Sequence, residues 1–116
     1  RCDDALVFVD SDYLQQALMN LMLNAIDASS REGLVEVSVT ENQGHLHVEI
    51  EDSGPGLTPE QEERLFEAFY TTKPGGTGLG LAVTRTLLEK MGARIEASRG
   101  ERGARFRVIL PMEQPA

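Results

Sequence analysis

The 116-residue sequence predicts a single α/β domain of the α+β kind: a two-layer sandwich in which helices cover one face of a sheet. Two observations predict it. Apolar patterning marks five strands, two long helices and one short helix, in the order β-α-β-β-α-α-β-β. That order holds too few βαβ units for a doubly wound parallel sheet, so the sheet is expected to be mixed or antiparallel. The length suits one domain, and no repeat or linker divides residues 1–116. Hydrophobic residues make up 41% of the chain, aromatics only 5%, and there is no Trp, so the core must be mainly aliphatic.

Taken in order, ALVFVD (Ala5–Asp10) reads as a short strand. Ser11 or Asp12 then caps a helix running to about Ser30. LVEVSVTE and HLHVEIED alternate on either side of NQG, a hairpin signal. TPEQEERL predicts a short helix, with Thr58 as cap, Pro59 at its first position and glutamates in its first turn. The next helix spans about Gly78 to Met91 and stops at Gly92. RIEASR and ARFRVILP form a second hairpin around GERG.

Composition excludes several functions. No stretch approaches the ~18 consecutive apolar residues that span a membrane, and no basic start leads into an apolar signal region. The single cysteine, Cys2, cannot form an internal disulfide and fits a reducing compartment. A formal net charge of −8 argues against a nucleic-acid partner. Most Lys and Arg lie between Lys73 and Arg107, either as a solvated basic face or as a local positive field for a nucleotide.

At roughly 100° per residue, Tyr13, Gln16, Asn20, Asn24, Asp27 and Arg31 share one narrow sector of the first helix. Leu14, Leu18, Leu21, Ala25 and Ala28 fill the sector expected to face the sheet, and Met19, Leu23 and Ile26 make a third, also apolar. Asparagine is a poor helix former, so two at i, i+4 cost helix propensity without adding core. The seam is either a solvent-facing stripe or the wall of a cleft. An Asn amide oxygen is a neutral, hard ligand suited to Mg²⁺ beside a polyphosphate, which a carboxylate would repel.

Two glycine clusters follow, DSGPG and GGTGLG. Asp52 stands at a strand end, where a carboxylate can accept a hydrogen bond from the exocyclic amine of adenine and reject the carbonyl of guanine. Gly54 and Gly56 let backbone approach a flat base, although DSGPG is also an ordinary turn. GTGLGL precedes the last helix, where backbone N–H groups and the helix dipole favour phosphate. Lys73, just upstream, offers a mobile ammonium for the terminal phosphates. Phe66 and Phe69, between the clusters, either pack in the core or dock the hinge of a lid.

Together these stretches resemble the ATP-binding catalytic domain of sensor histidine kinases, within the gyrase, Hsp90 and MutL-like ATPase superfamily. LMNLMLNAIDAS resembles the asparagine box, EDSGPGL the first glycine box, LFEAFYTTK the phenylalanine box and GGTGLGLAV the second glycine box. Order and spacing agree over nearly the whole chain, and the short FYTTKPGGTGLGL is similar to the nitrogen-regulation and dicarboxylate-sensing branch. The resemblance implies a mixed five-stranded sheet covered by three helices, with ATP and Mg²⁺ as cofactors. It makes Asn24 the Mg²⁺ ligand and Asn20 its companion. It makes Asp52 the adenine-binding residue and implies that Gly54, Gly56, Gly76, Gly78 and Gly80 form the glycine boxes. Lys73 is implied to join Asn20 and Asn24 in the chemistry. Asp27, Thr71, Thr72, Thr77, Leu79, Leu81 and Ala104 are implied to lie about the nucleotide, with Phe66 and Phe69 anchoring the lid.

Three departures stand out. Asp27 replaces a frequent lysine, Ala104 replaces a Thr or Ser hydroxyl near the adenine, and Asn20 stands where hydrolysing relatives place a glutamate base. Weak free hydrolysis is therefore expected. His45 and His47 lie in a strand pattern and lack the acidic neighbour of an acceptor histidine. The resemblance thus implies a cytoplasmic catalytic domain cut from a longer kinase, itself membrane-anchored or not. Its partners would be the kinase's own dimerisation and phosphoacceptor domain and a response regulator. The isolated domain is expected to be a monomer and the parent a homodimer. The rival readings are an anti-sigma-type serine kinase and an ATP sensor without chemistry.

Overall fold

The computed structural model describes residues 11–29, 33–71 and 78–112. Along the chain they form α1 (Ser11–Ala28), β1 (Glu36–Asn42), β2 (His45–Glu51), α2 (Pro59–Arg64), α3 (Gly80–Lys90), β3 (Arg94–Arg99) and β4 (Ala104–Pro111). The sheet runs β1-β2-β4-β3, and every neighbouring pair is antiparallel. The expected mixed five-stranded sheet is therefore four-stranded and antiparallel among the described residues; Ala5–Asp10, the predicted first strand, lies outside them.

Alternation decides which side of the sheet is covered. Val48 and Ile50 of β2 and Ala104, Phe106, Val108 and Leu110 of β4 are buried on one face. Against them pack Ala17, Leu21 and Ala25 of α1 and Leu88 of α3. Each fully buried large side chain of this kind contributes about 1.5–3 kcal/mol. Of the predicted core sector, Leu21 and Ala25 are buried and Leu14 and Leu18 pack against the core partly buried; Ala17, outside that sector, is buried as well. Met19, Leu23 and Ile26, by contrast, are more than half exposed. The seam is therefore flanked by core on one side only.

The α2 start follows the sequence signal closely. The Thr58 hydroxyl accepts from the Gln61 N–H, the Gln61 side chain accepts from the Thr58 N–H, and Pro59 opens the helix. The described part of α1 already includes Ser11 and Asp12, and the position before them lies outside the described residues. The last helix begins at Gly80, two residues later than expected, and no side chain caps it. No described helix is long and apolar enough to cross a membrane.

The outer face of the sheet is a lattice of ion pairs. Arg107 on β4 reaches Glu49 on β2 and Glu96 on β3, its partners in register. Arg105 binds Glu51 at 3.2 Å. These basic residues face away from the helices, and so do His45 and His47. The arginines of β4 thus belong to a charged sheet face rather than to a positive field for phosphate.

Glu51 also closes the β3–β4 turn by accepting the Arg102 N–H at 2.9 Å. That backbone bond and Arg105 hold its carboxyl below the usual glutamate value, against a smaller opposing effect of burial. A depressed folded value means that the stabilisation is complete above the unfolded value of 4.5 and is lost as pH falls through the folded one. Glu51→Gln is expected to lower stability by about 1 kcal/mol at pH 7. Thermal unfolding followed from pH 7 to 3 should show the gap to wild type closing at the acid end; a constant gap would exclude the linkage.

Candidate functional site

The chain leaves β2 at Glu51 and places the next carboxylate, Asp52, almost wholly out of solvent, at 1% exposure. Its backbone N–H donates to the Ala104 carbonyl at 3.0 Å, continuing the β2–β4 ladder past its last registered pair. The Ala104 N–H returns a bond to Asp52 Oδ1 at 3.1 Å, and the Gly54 N–H donates to the same oxygen at 2.9 Å. Oδ1 is thus fixed by two backbone donors. Oδ2 is buried with no hydrogen-bond partner among the described residues. Leaving a buried acceptor unpaired costs about 1–3 kcal/mol, which a donor from a ligand recovers.

Asp52 lines a cavity of about 470 Å³, within the range of small-molecule sites. Asn24, Asp27 and Ala28 of α1 form one wall; Gly78, Gly80 and Leu81 at the start of α3 form another. Ala104 and Phe106 of β4 make the floor beside Asp52, and Gly56 and Thr71 complete the edge. The seam residues Asn24 and Asp27 therefore line a cleft. Asn20 does not reach this cavity. It lines a smaller adjoining one of about 190 Å³, shared with Asn24, Asp27, Gly80 and Leu81. No cluster of three His, Cys, Asp or Glu side chains able to hold a metal occurs among the described residues. A hard cation here would rest on carboxamide oxygens and on ligand oxygens, the mode Mg²⁺ favours with phosphates.

Several predicted residues have other work. A side chain at Gly54 would run into the Ala28 carbonyl, so this glycine admits the end of α1 rather than a ligand. Phe66 does not line the cavity; it packs edge-on against Phe106, with ring centroids 6.4 Å apart. Phe69 is 76% exposed, so of its two expected roles core packing is ruled out. Its backbone carries the connection instead. Phe69 sits at φ +70°, and its N–H donates to the Gly78 carbonyl at 2.8 Å. Gly78, at φ +74°, lies so close that any side chain there would meet the Phe69 backbone. Leu79 is partly exposed and outside the lining. Thr72, Lys73, Gly76 and Thr77 fall outside the described residues.

The lining also includes residues the sequence reading passed over: Ala28, Pro55, Leu57, Gln61, Leu65, Tyr70 and Phe106. Tyr70 carries the Arg64 guanidinium over its ring at 4.6 Å. Its place directly after Phe69, at the exit of the aromatic stretch, was the available signal. Phe106 gave none, because an inward residue of a core strand looks the same whether it meets a helix or a ligand. Ala104 lines the cavity and binds Asp52 through both its N–H and its C=O.

Comparison with known proteins gives this geometry a context. The profile of the family described as histidine kinase-, DNA gyrase B-, and HSP90-like ATPase matches residues 9–114. Sensor histidine kinase ZraS of Klebsiella oxytoca is 45% identical over 105 residues, covering 89% of this chain and 23% of that protein. The chain thus spans about a quarter of that relative's length. Among solved structures, mycobacterial sensor histidine kinase MprB superposes with a TM-score of 0.86 at 30% identity, covering 94% of this chain and 76% of that one. The catalytic domain of histidine kinase ThkA gives 0.83 at 34% identity, with 90% and 70% covered.

The contact between Gly54 and Ala28 is backbone against backbone and cannot yield by a rotamer change. Gly54→Ala is expected to lower stability by about 1–3 kcal/mol, read from urea unfolding. Unchanged stability would show that the DSGPG turn and the end of α1 move apart freely.

Proposed function

The chain belongs to the histidine kinase-, DNA gyrase B-, and HSP90-like ATPase family, and from that premise we propose that it binds Mg·ATP in the Asp52 cavity and presents the terminal phosphoryl group to a histidine on a separate dimerisation domain. The observation that carries this reading is the buried, unpaired Asp52 Oδ2 on the wall of a cavity of about 470 Å³. A buried acceptor held by two backbone donors at its other oxygen calls for a ligand donor in one direction. The exocyclic amine of adenine supplies it; the carbonyl oxygen of guanine at that place is repelled. Gly54 and Ala104 keep Oδ1 from turning in, so selectivity does not depend on a mobile side chain.

The residues present fit the metal and phosphates as well. Asn24 would hold Mg²⁺ through its carboxamide oxygen, with Asn20 beside it on the same helix face. The start of α3, with no side-chain cap, directs its first N–H groups and the positive end of its dipole toward phosphate oxygens. By resemblance, Lys73, Thr72, Gly76 and Thr77 attend the terminal phosphates. ATP supplies the phosphoryl group, and Mg²⁺ offsets the charge that gathers on its oxygens in transfer. The protein's part is to bind, orient and exclude water. Asn20 cannot take a proton from water at neutral pH, so hydrolysis without an acceptor is slow.

The acceptor meets the chain beside the cavity mouth. Phe69, Leu79 just before α3 and Val83 on α3 are exposed apolar side chains near the Phe69–Gly78 junction, a surface suited to a helix carrying the histidine. The reading makes the chain the cytoplasmic catalytic part of a longer two-component kinase whose phosphohistidine is passed to an aspartate of a response regulator.

Asp52→Asn retains shape and, with its oxygen kept on the Gly54 and Ala104 N–H donors, places an amide N–H donor where the acceptor Oδ2 stood. Affinity for an ATP analogue, measured by calorimetry, is expected to fall about 10- to 100-fold with the unfolding midpoint little changed; unchanged affinity would remove Asp52 from the adenine site. Labelled ATP supplied with a separate acceptor-histidine domain should give acid-labile phosphate on that domain and little free phosphate without it. Acid-stable phosphoserine, or tight binding without transfer, would overturn the kinase assignment.

A further inference from the structure

Besides Asp52, the fully buried polar side chain among the described residues is Thr84, one turn into α3 and at 0% exposure. Its Oγ1 donates to the Gly80 carbonyl at 2.8 Å. Such a backward bond is common for threonine in helices, and Thr86 makes the same one to Ala82 from an exposed position. Thr84 differs in what it meets across the helix pair. The Nδ2 of Asn20, on α1, lies 3.2 Å from Thr84 Oγ1. A hydroxyl has one hydrogen, and the Gly80 carbonyl already takes it, so toward Asn20 the oxygen can only accept. The end of the carboxamide that faces it must therefore be the amine.

This settles a choice that shape alone leaves open, because the two ends of an Asn amide are nearly the same size. With Nδ2 turned to α3, Oδ1 is the end directed away from Thr84. Asn20 lines the small cavity that continues the main cleft past Asn24 and Gly80. We propose that Thr84 is a positioning residue: by locking its own hydroxyl on Gly80 and accepting from Asn20, it turns the Asn20 oxygen, rather than the amine, toward the cation and phosphate end of the cleft. The inference rests on assigning the α1 seam to Mg·ATP. It adds that the orientation of a seam residue is set from α3, the helix whose start is assigned to the phosphates. An amine at that place would present positive charge to a cation; a carbonyl oxygen presents a hard donor, directly or through water.

The test uses this chain with Thr84→Val, which exchanges the hydroxyl for a methyl at nearly constant volume, and Thr84→Ser, which restores the hydroxyl. Binding of a fluorescent ATP analogue is titrated with Mg²⁺. The half-saturating Mg²⁺ concentration is expected to rise about tenfold in the valine variant, the scale of lost partners behind a metal ligand, and to return in the serine variant. Analogue binding in EDTA should stay within about twofold of wild type. Without any nucleotide, the Asn20 side-chain amide resonances in ¹⁵N spectra should move and exchange faster in Thr84→Val but not in Thr84→Ser. Adding Thr84→Val to Asn20→Ala should change the Mg²⁺ dependence no further. A loss of packing alone would lower the unfolding midpoint without moving either readout; should valine not fit, Thr84→Ala serves in the same comparison. Wild-type Mg²⁺ dependence with an unmoved Asn20 amide, or a full tenfold effect in the Asn20→Ala background, would overturn the proposal. Failure of the seam assignment reads differently: Asn24→Ala would then leave Mg²⁺ dependence unchanged, while the amide spectra would still report the Thr84–Asn20 bond.

Discussion

The structure turns on the junction between Asp52 and Ala104. Two backbone bonds between these residues extend the β2–β4 pairing by one position, except that the second acceptor is a side-chain oxygen instead of a carbonyl. Strand pairing is cooperative and stiff, so a side chain inserted into it inherits that stiffness. The third bond, from the Gly54 N–H, fixes the turn that follows. Because Gly54 also touches the Ala28 carbonyl, the end of α1 is set against the same point. Sheet end, helix end and carboxylate are located by one cluster of backbone contacts. The cost is one carboxylate oxygen buried without a partner among the described residues, the oxygen on which the proposed selectivity rests.

Charge is distributed with the same economy. A chain of net charge −8 that takes a polyphosphate needs its neutralisation to be local. The arginines of β4 do not provide it, since Arg105 and Arg107 are held by glutamates on the opposite face of the sheet. What faces the cleft from α1 and α3 is mostly neutral: carboxamides, and a helix start whose amides carry about half a positive charge. Neutral donors bind phosphate without drawing a carboxylate into competition. Asp27 is the exception on α1, and it lines both cavities.

The sequence made some of this legible and hid the rest for physical reasons. The helical core of α1 was readable because burial repeats every fourth residue, and the α2 start because Thr58, Pro59 and Gln61 each have a local role. The cleft position of Asn24 and Asp27 was readable as a seam too poor in lysine and glutamate for a solvated face. Gly54 misled, because a glycine required by a neighbouring helix and one required by a ligand are the same residue. Phe69 misled for a related reason: an aromatic ring suggests core, and only its backbone angle shows that the main chain, not the ring, makes the contact. The pairing of Arg105 and Arg107 depends on strand register, which no local pattern specifies. The Thr84–Asn20 bond joins positions 64 residues apart and lay beyond any window of sequence reading.

Phe69 also explains how the two glycine clusters cooperate. A phenylalanine at positive φ costs on the order of 1–3 kcal/mol and persists only where its surroundings fix it. Here the Phe69 N–H is held by the Gly78 carbonyl, and Gly78 has no side chain to push it away. Phe69 and Gly78 are therefore pinned to each other through their main chains. From that point the Phe69 ring projects into solvent on one side, while Gly78 and Gly80 line the cavity on the other. A helix docking on the ring and a phosphate settling at the start of α3 would press on the same backbone joint. On the proposed reading, nucleotide binding and acceptor docking would be linked through this shared main-chain geometry, with the strain at Phe69 lying where the two would meet.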